Sequence, residues 1–105
     1  MYKLCIFVPL ESKESLKEAL FGAGAGKIGN YDCCCFETMG TGQFRPLENS
    51  NPALGRHGEI HHVQEVKLEM VVGDENITEV LAALEKSHPY EEPAYDVFKQ
   101  AEIAF

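Results

Sequence analysis

No apolar run in this chain approaches the roughly 20 residues that a membrane-spanning helix requires, so a membrane span is not expected. A secretory leader is not expected either. Met1 to Leu10 carries one lysine and a very short apolar run, with no small-residue cleavage site before Glu11. The expectation is a cytoplasmic protein. Basic side chains are also scarce: 9 Lys and Arg stand against 17 Asp and Glu, a net charge of -8 that repels phosphate backbones and anionic membranes. Only Lys13 with Lys17, and Arg56 with His57, lie near one another, so no basic patch offsets that charge and nucleic acid is not an expected partner. Spaced cysteine pairs are missing too. The 4 cysteines fall at 5, 33, 34 and 35, whereas a structural zinc site wants C-x2-C pairs whose thiolates converge. Neighbours on a strand point to opposite faces, which rules out a ready disulfide set and favours reduced thiols buried as small hydrophobes.

A chain of 105 residues has enough material for one continuous core and too little for two, so residues 1–105 are expected to form one domain. Tyr2 to Pro9 alternates as a strand with both faces largely covered. Ser12 is a plausible N-cap for a helix carrying Leu16, Ala19, Leu20 and Ala23 at i, i+3, i+4, i+7, with Gly22, Gly24 and Gly26 as its stop. A second strand is expected from Asn30 to Met39. After it comes a long loop over residues 40–58, rich in glycine and asparagine, with a short strand around Gln43 to Arg45. His61 to Val72 resumes the strand pattern, placing Val66, Leu68, Met70 and Val72 on a core face and Glu65, Lys67 and Glu69 on a wet one. Asp74 can cap a helix with Ile77, Val80, Leu81 and Leu84 at helical spacing, which must end before Pro89. Ala94 to Gln100 reads as the last strand. This order predicts an α+β ferredoxin-like βαββαβ fold, an antiparallel four-stranded sheet with two helices on one face.

Four stretches could carry chemistry. Gly22-Ala-Gly-Ala-Gly-Lys27 looks like a phosphate loop, but its glycines close a helix instead of opening one, and Ile28 stands where a Walker lysine is followed by Ser or Thr. Cys33-Cys34-Cys35 could hold a soft metal only if several copies of the chain were brought together. His57, His61 and His62 are the best hint of a divalent metal site. His88-Pro-Tyr-Glu-Glu-Pro-Ala-Tyr-Asp96 packs a histidine, two tyrosines and three carboxylates into nine residues. There His88 could act as a hydrolytic base oriented by Glu91, or Pro89 and Pro93 could fix a turn whose hydrogen bonds His88, Tyr90 and Glu91 supply.

Ala23-Gly-Ala-Gly-Lys-Ile-Gly-Asn-Tyr31, Gly40-Thr-Gly-Gln-Phe-Arg-Pro46, Asn51-Pro with Gly55, Val66-Lys-Leu-Glu69 and His88 to Asp96 occur in a fixed order. Together they resemble the inserted middle domain of the NIF-three-like (NGG-interacting-factor) proteins. His88-Pro-Tyr-Glu91 with Pro93 is also similar to a turn of the CutA divalent-cation-tolerance proteins, which share a ferredoxin-like fold with the PII signalling proteins. In the NIF-three-like family the two-metal chemistry belongs to halves flanking the insert, so the resemblance brings no catalytic residue to this chain. Cys35 stands where the family often has serine, and His61 and His62 occupy a commonly acidic region.

The resemblance implies a homotrimer whose inter-subunit clefts, between the 40–58 loop and the His88–Asp96 turn, bind a small ligand or a divalent metal ion. Phe44, Arg45, His88, Tyr90, Glu91, Glu92 and Tyr95 are the residues expected at such a cleft. The sequence thus predicts a binding or regulatory module rather than an enzyme. The alternatives are divalent-cation binding through His57, His61 and His62, and a small hydrolase using His88.

Overall fold

Strand β1 (Tyr2–Pro9) runs through the centre of the structure, a computed structural model that describes residues 1–103. Helix α1 (Lys13–Gly22), strands β2 (Phe36–Phe44) and β3 (His61–Val72), helix α2 (Ile77–Ser87) and strand β4 (Tyr95–Lys99) follow. The sheet order is β2-β3-β1-β4 with every neighbouring pair antiparallel, the ferredoxin-like arrangement that the element order predicts.

Alternation along the strands sorts the side chains. Leu4, Ile6 and Val8 stand opposite Met70, Leu68 and Val66, and all six are buried. Leu16 and Leu20 of α1, with Val80 and Leu84 of α2, pack onto this face and complete one core. Each such aliphatic is worth about 1.5–3 kcal/mol when fully buried, which explains why both helices settle on one side. The other face carries Lys3, Phe7, Lys67 and Glu69, and no helix of the described residues lies over it.

The ends of the elements depart from expectation. Ser12 stands at the start of α1, but its hydroxyl makes no capping bond, because a single 3-10 turn (Leu10–Ser12) leads into the helix and leaves Ser12 at φ -102°, ψ 1°. A capping serine needs an extended backbone to aim its oxygen at the helix amides. Asp74 does not cap α2 either. Asn76 holds the N-cap position, and Asp74 instead pairs with the N-terminal ammonium of Met1. At its far end α2 stops because His88, before Pro89, is extended at φ -75°, ψ 136°.

The second strand is displaced from its expected span of Asn30 to Met39. Ile28 and Tyr31 exchange backbone hydrogen bonds at 2.9 Å, and Cys33 adopts φ 55°, a left-handed conformation that interrupts any strand. Pairing with β3 then carries the chain through Gly40 and Gly42 as far as Phe44. The glycines that suggest a loop are strand residues, and the loop begins at Arg45 instead of Gly40. Cysteine burial also differs: only Cys5 is buried, Cys34 and Cys35 are half-buried, and Cys33 is exposed. The left-handed turn removes residues 33–35 from the sheet, and of the three Cys35 still packs against the core from its edge.

β3 outruns β1. Its partners on β1 end at Glu65, whereas β2 stays paired out to His61, so the His61–Gln64 edge extends past β1. The radius of gyration is 15.0 Å, above the ~13 Å expected for a compact chain of about 100 residues. No helix among the described residues is long and apolar enough to cross a membrane.

Candidate functional site: a cavity between the β2–β3 loop and the α2–β4 turn

Where β3 passes the end of β1, the loop after β2 and the turn before β4 enclose a cavity of about 560 Å³. Phe44 enters from the end of β2, Glu65 from β3, Tyr90, Glu91 and Glu92 from the turn, and Arg45 and Leu54 from the loop. Three contacts tie the walls together. The Tyr90 hydroxyl donates to Glu65 Oε2 at 2.9 Å, the Asn51 backbone N–H donates to Glu91 Oε1 at 3.1 Å, and the Phe44 and Tyr90 rings lie 5.8 Å apart. Burial, reinforced by the Glu65 carboxylate, pushes the Tyr90 phenol far above the ordinary tyrosine value, so it stays a neutral donor.

Alternation along β3 puts Glu65 on the wet face, yet it is only 9 % exposed. The turn and loop cover it. A β-carbon added at Gly42 would lie 2.0 Å from Glu65 Oε1, so the glycine makes room for this carboxylate on the neighbouring strand. The signal in the sequence was the Gly40-x-Gly42 alternation, which leaves one strip of β2 without side chains.

His88 lies behind the cavity wall, not in it. Nε2–H donates to the Phe7 carbonyl at 2.8 Å and Nδ1 accepts the Tyr90 N–H at 3.1 Å. The carbonyl can only accept and the amide can only donate, which fixes the neutral tautomer and commits both ring nitrogens. Burial lowers the His88 pKa, and the bond to Phe7 opposes that shift only in part. Tyr95, also expected at the cleft, stands elsewhere. It pairs with Ile6 on the helix-covered face, and its hydroxyl donates to Glu85 Oε1 at 3.3 Å.

The three remaining histidines do not converge. His57 Nε2–H donates to the Ser50 carbonyl at 2.8 Å, and His61 Nε2 accepts the Arg56 N–H at 2.8 Å, so both fasten the loop. His62, on the opposite side of β3 from His61, meets Gln43 Oε1 at 2.9 Å. Among the described residues no three His, Cys, Asp or Glu side chains are grouped to hold a metal ion. The structure does not bring the expected trio together, because two of its members bond backbone groups of the loop and the third faces away.

No protein-family model matches the chain. It is 48 % identical over 101 residues to a GTP cyclohydrolase 1 type 2 homolog of Halalkalibacterium halodurans, covering 96 % of this chain and 27 % of that protein. A Bacillus subtilis protein of the same name is 46 % identical over 96 residues, covering 91 % of this chain and 26 % of its own length. The chain thus spans about a quarter of the curated relatives it matches. Among solved structures, a Bacillus cereus protein related to NIF3 superposes with a TM-score of 0.78 at 40 % identity, over 92 % of this chain and 24 % of that one. CutA1 from Pyrococcus horikoshii superposes with a TM-score of 0.69 at 16 % identity, over 99 % and 87 % of the two chains. That second likeness concerns the fold.

Proposed function

We propose that this homologue of the PII/CutA-like segment of NIF3-related proteins is a self-associating binding or regulatory module, with the Phe44–Tyr90 cavity as its ligand site. One observation carries the reading: loop and turn are fastened to each other and to β3 by Asn51–Glu91 and Tyr90–Glu65 while a cavity of about 560 Å³ stays open between them. That volume lies within the range of small-molecule sites, roughly 300–1,000 Å³.

Self-association is supported by the uncovered sheet face and by the exposed Phe36 and Phe98 upon it, and the assembly proposed is a homotrimer in the cytoplasm. The β3 edge beyond β1 offers backbone groups for pairing with another copy. In such an assembly a neighbour would close the open side of the cavity.

The chain is not itself proposed as an enzyme. A hydrolytic base needs a free lone pair, and His88 has none. Cyclohydrolase activity, suggested by the name of the relatives, would need the rest of a protein of which this chain matches about a quarter. The decisive experiment couples mass measurement with ligand screening. Light scattering at micromolar concentration should give three chain masses, and amide shifts of Phe44, Arg45 and Tyr90 should move when a ligand binds. A monomer would remove the shared cleft, and a hit mapping to another surface would remove this cavity.

A further inference from the structure

The chemistry of the cavity wall selects among ligand classes. Three carboxylates, Glu65, Glu91 and Glu92, line it against the single guanidinium of Arg45. Their number alone would say little, but Glu65 adds an independent observation. It is 9 % exposed, Tyr90 engages only Oε2, and among the described residues no donor reaches Oε1. No fully buried side-chain nitrogen or oxygen of the described residues lacks a partner, so Oε1 keeps contact with solvent, and Glu65 is among the residues that line the cavity. A nine-tenths-buried carboxylate with one uncommitted oxygen is a strong acceptor for a charged donor.

The surroundings suit the body of such a donor. Phe44 and Tyr90, with ring centroids 5.8 Å apart, present aromatic surface beside Glu65, and Pro46, Leu47 and Leu54 supply apolar wall. Aromatic faces attract cations, the more so where the site is desolvated. Anions meet the opposite: the three carboxylates nearby and a chain net charge of -8 oppose nucleotides and other phosphates.

From these observations we infer that the cavity takes an organic cation, an ammonium, amidinium or guanidinium group on an apolar or aromatic body. The charged head bonds Glu65 Oε1 and the body lies against Phe44 and Tyr90. This inference rests on the small-ligand reading of the same cavity and adds the sign of charge and the shape of the ligand.

The test is a titration of the intact chain, followed by calorimetry and by amide shifts, with four probes: benzamidine, which is cationic at neutral pH, the neutral isostere benzamide, the anion benzoate, and GTP. Benzamidine should shift the amides of Phe44, Glu65 and Tyr90 and bind at least tenfold more tightly than benzamide. Its affinity should fall as salt is raised, and benzoate and GTP should leave those amides unmoved. Glu65→Gln retains an acceptor for Tyr90 and removes the charge, so benzamidine binding should weaken at least tenfold. Glu92→Gln, on the exposed rim, tests the same charge without touching a buried group and should weaken binding about twofold to threefold. Equal binding of benzamide and benzamidine, or preferred binding of benzoate or GTP at these residues, would overturn the cation inference and leave the small-ligand reading standing. Unchanged benzamidine affinity in both variants would overturn it as well. Should none of the four probes move these amides at millimolar concentration, both readings would fall together.

Discussion

The Tyr90 hydroxyl reaches Glu65 Oε2 at 2.9 Å and so fastens the turn after α2 onto a strand 25 positions earlier in the chain. The carboxylate is nearly buried, so this bond sets the cost of its burial. Tyr90→Phe keeps the ring against Phe44 and removes only the donor. The variant should lose about 1–3 kcal/mol, read as a lower urea midpoint at unchanged slope. Linkage gives a second readout. The folded-state pKa of Tyr90 is raised, first by burial, so the unfolded chain loses its phenolic proton first as the solution becomes alkaline. The contribution is complete below the ordinary tyrosine value of about 10 and falls away above it. Wild type should therefore lose stability above pH 10 more steeply than Tyr90→Phe, and parallel alkaline profiles would contradict the assignment.

Two glycines of β2 make an internally controlled pair. A β-carbon at Gly42 would sit 2.0 Å from Glu65 Oε1 and 2.4 Å from Cδ, whereas one at Gly40 would meet nothing within 4 Å. Glu65 cannot swing aside freely because Tyr90 holds it. Gly42→Ala should thus cost about 1–3 kcal/mol through displaced packing and loss of the Tyr90 bond. Gly40→Ala should be neutral or stabilising by up to about 1 kcal/mol, since it only restricts the unfolded chain. Thermal denaturation of the two variants decides the matter, and equal effects would mean that Glu65 does not occupy the space above Gly42.

The four thiols should separate by reactivity. Cys33 is exposed, Cys34 and Cys35 are half-buried, and Cys5 is buried in the sheet. Burial raises the pKa of both Cys5 and Cys35, which keeps them as unreactive thiols near neutral pH. Alkylation with iodoacetamide, followed by peptide mass spectrometry, should modify Cys33 first and Cys35 later. Cys5 should react only at the rate at which the chain opens. Early modification of Cys5 would show that the β1 region of the open face is more accessible than the structure has it.

The fold was legible because the strands and helices carry their periodicities openly: Leu4-Ile6-Val8 and Val66-Leu68-Met70-Val72 alternate, and Val80 and Leu84 repeat at helical spacing. The β2 boundaries were not, because glycine carries no pattern of its own. Gly40 and Gly42 look like loop until β2 is seen to pair through both and Glu65 on the neighbouring strand to need the empty side of Gly42. Likewise no local rule anticipates Cys33 at φ 55°. Of the expected cleft residues, Phe44, Arg45, Tyr90, Glu91 and Glu92 do line one cavity, whereas Tyr95 alternates onto the core side and His88 turns inward. Glu65 is invisible as a site residue because its burial comes from a loop that lies 11 to 20 positions before it and a turn that lies 25 or more positions after it. Hydrophobic pattern reports the face of a strand, not what later folds over it.

His88 decides between a catalytic and a structural turn. Its imidazole bridges the Phe7 carbonyl of β1 and the Tyr90 N–H of the turn, and is buried. Replacing it with Ala leaves a carbonyl and an amide without partners and opens a void, so a loss of about 2–4 kcal/mol is expected. Gln is too differently shaped to restore both bonds and should recover only part. The pH dependence is the sharper test. The folded-state pKa of His88 is lowered, mainly by burial, so on acidification the unfolded chain takes up the proton before the folded one does. Its stabilising contribution is complete above the ordinary histidine value of about 6.5 and is lost as pH falls through the depressed value. Wild type should accordingly lose stability below pH 6.5, and His88→Ala should show a shallower loss over that range in urea midpoints taken at half-unit steps. A catalytic base exposed to substrate would behave otherwise: its removal would leave the urea midpoint almost unmoved at every pH while abolishing turnover.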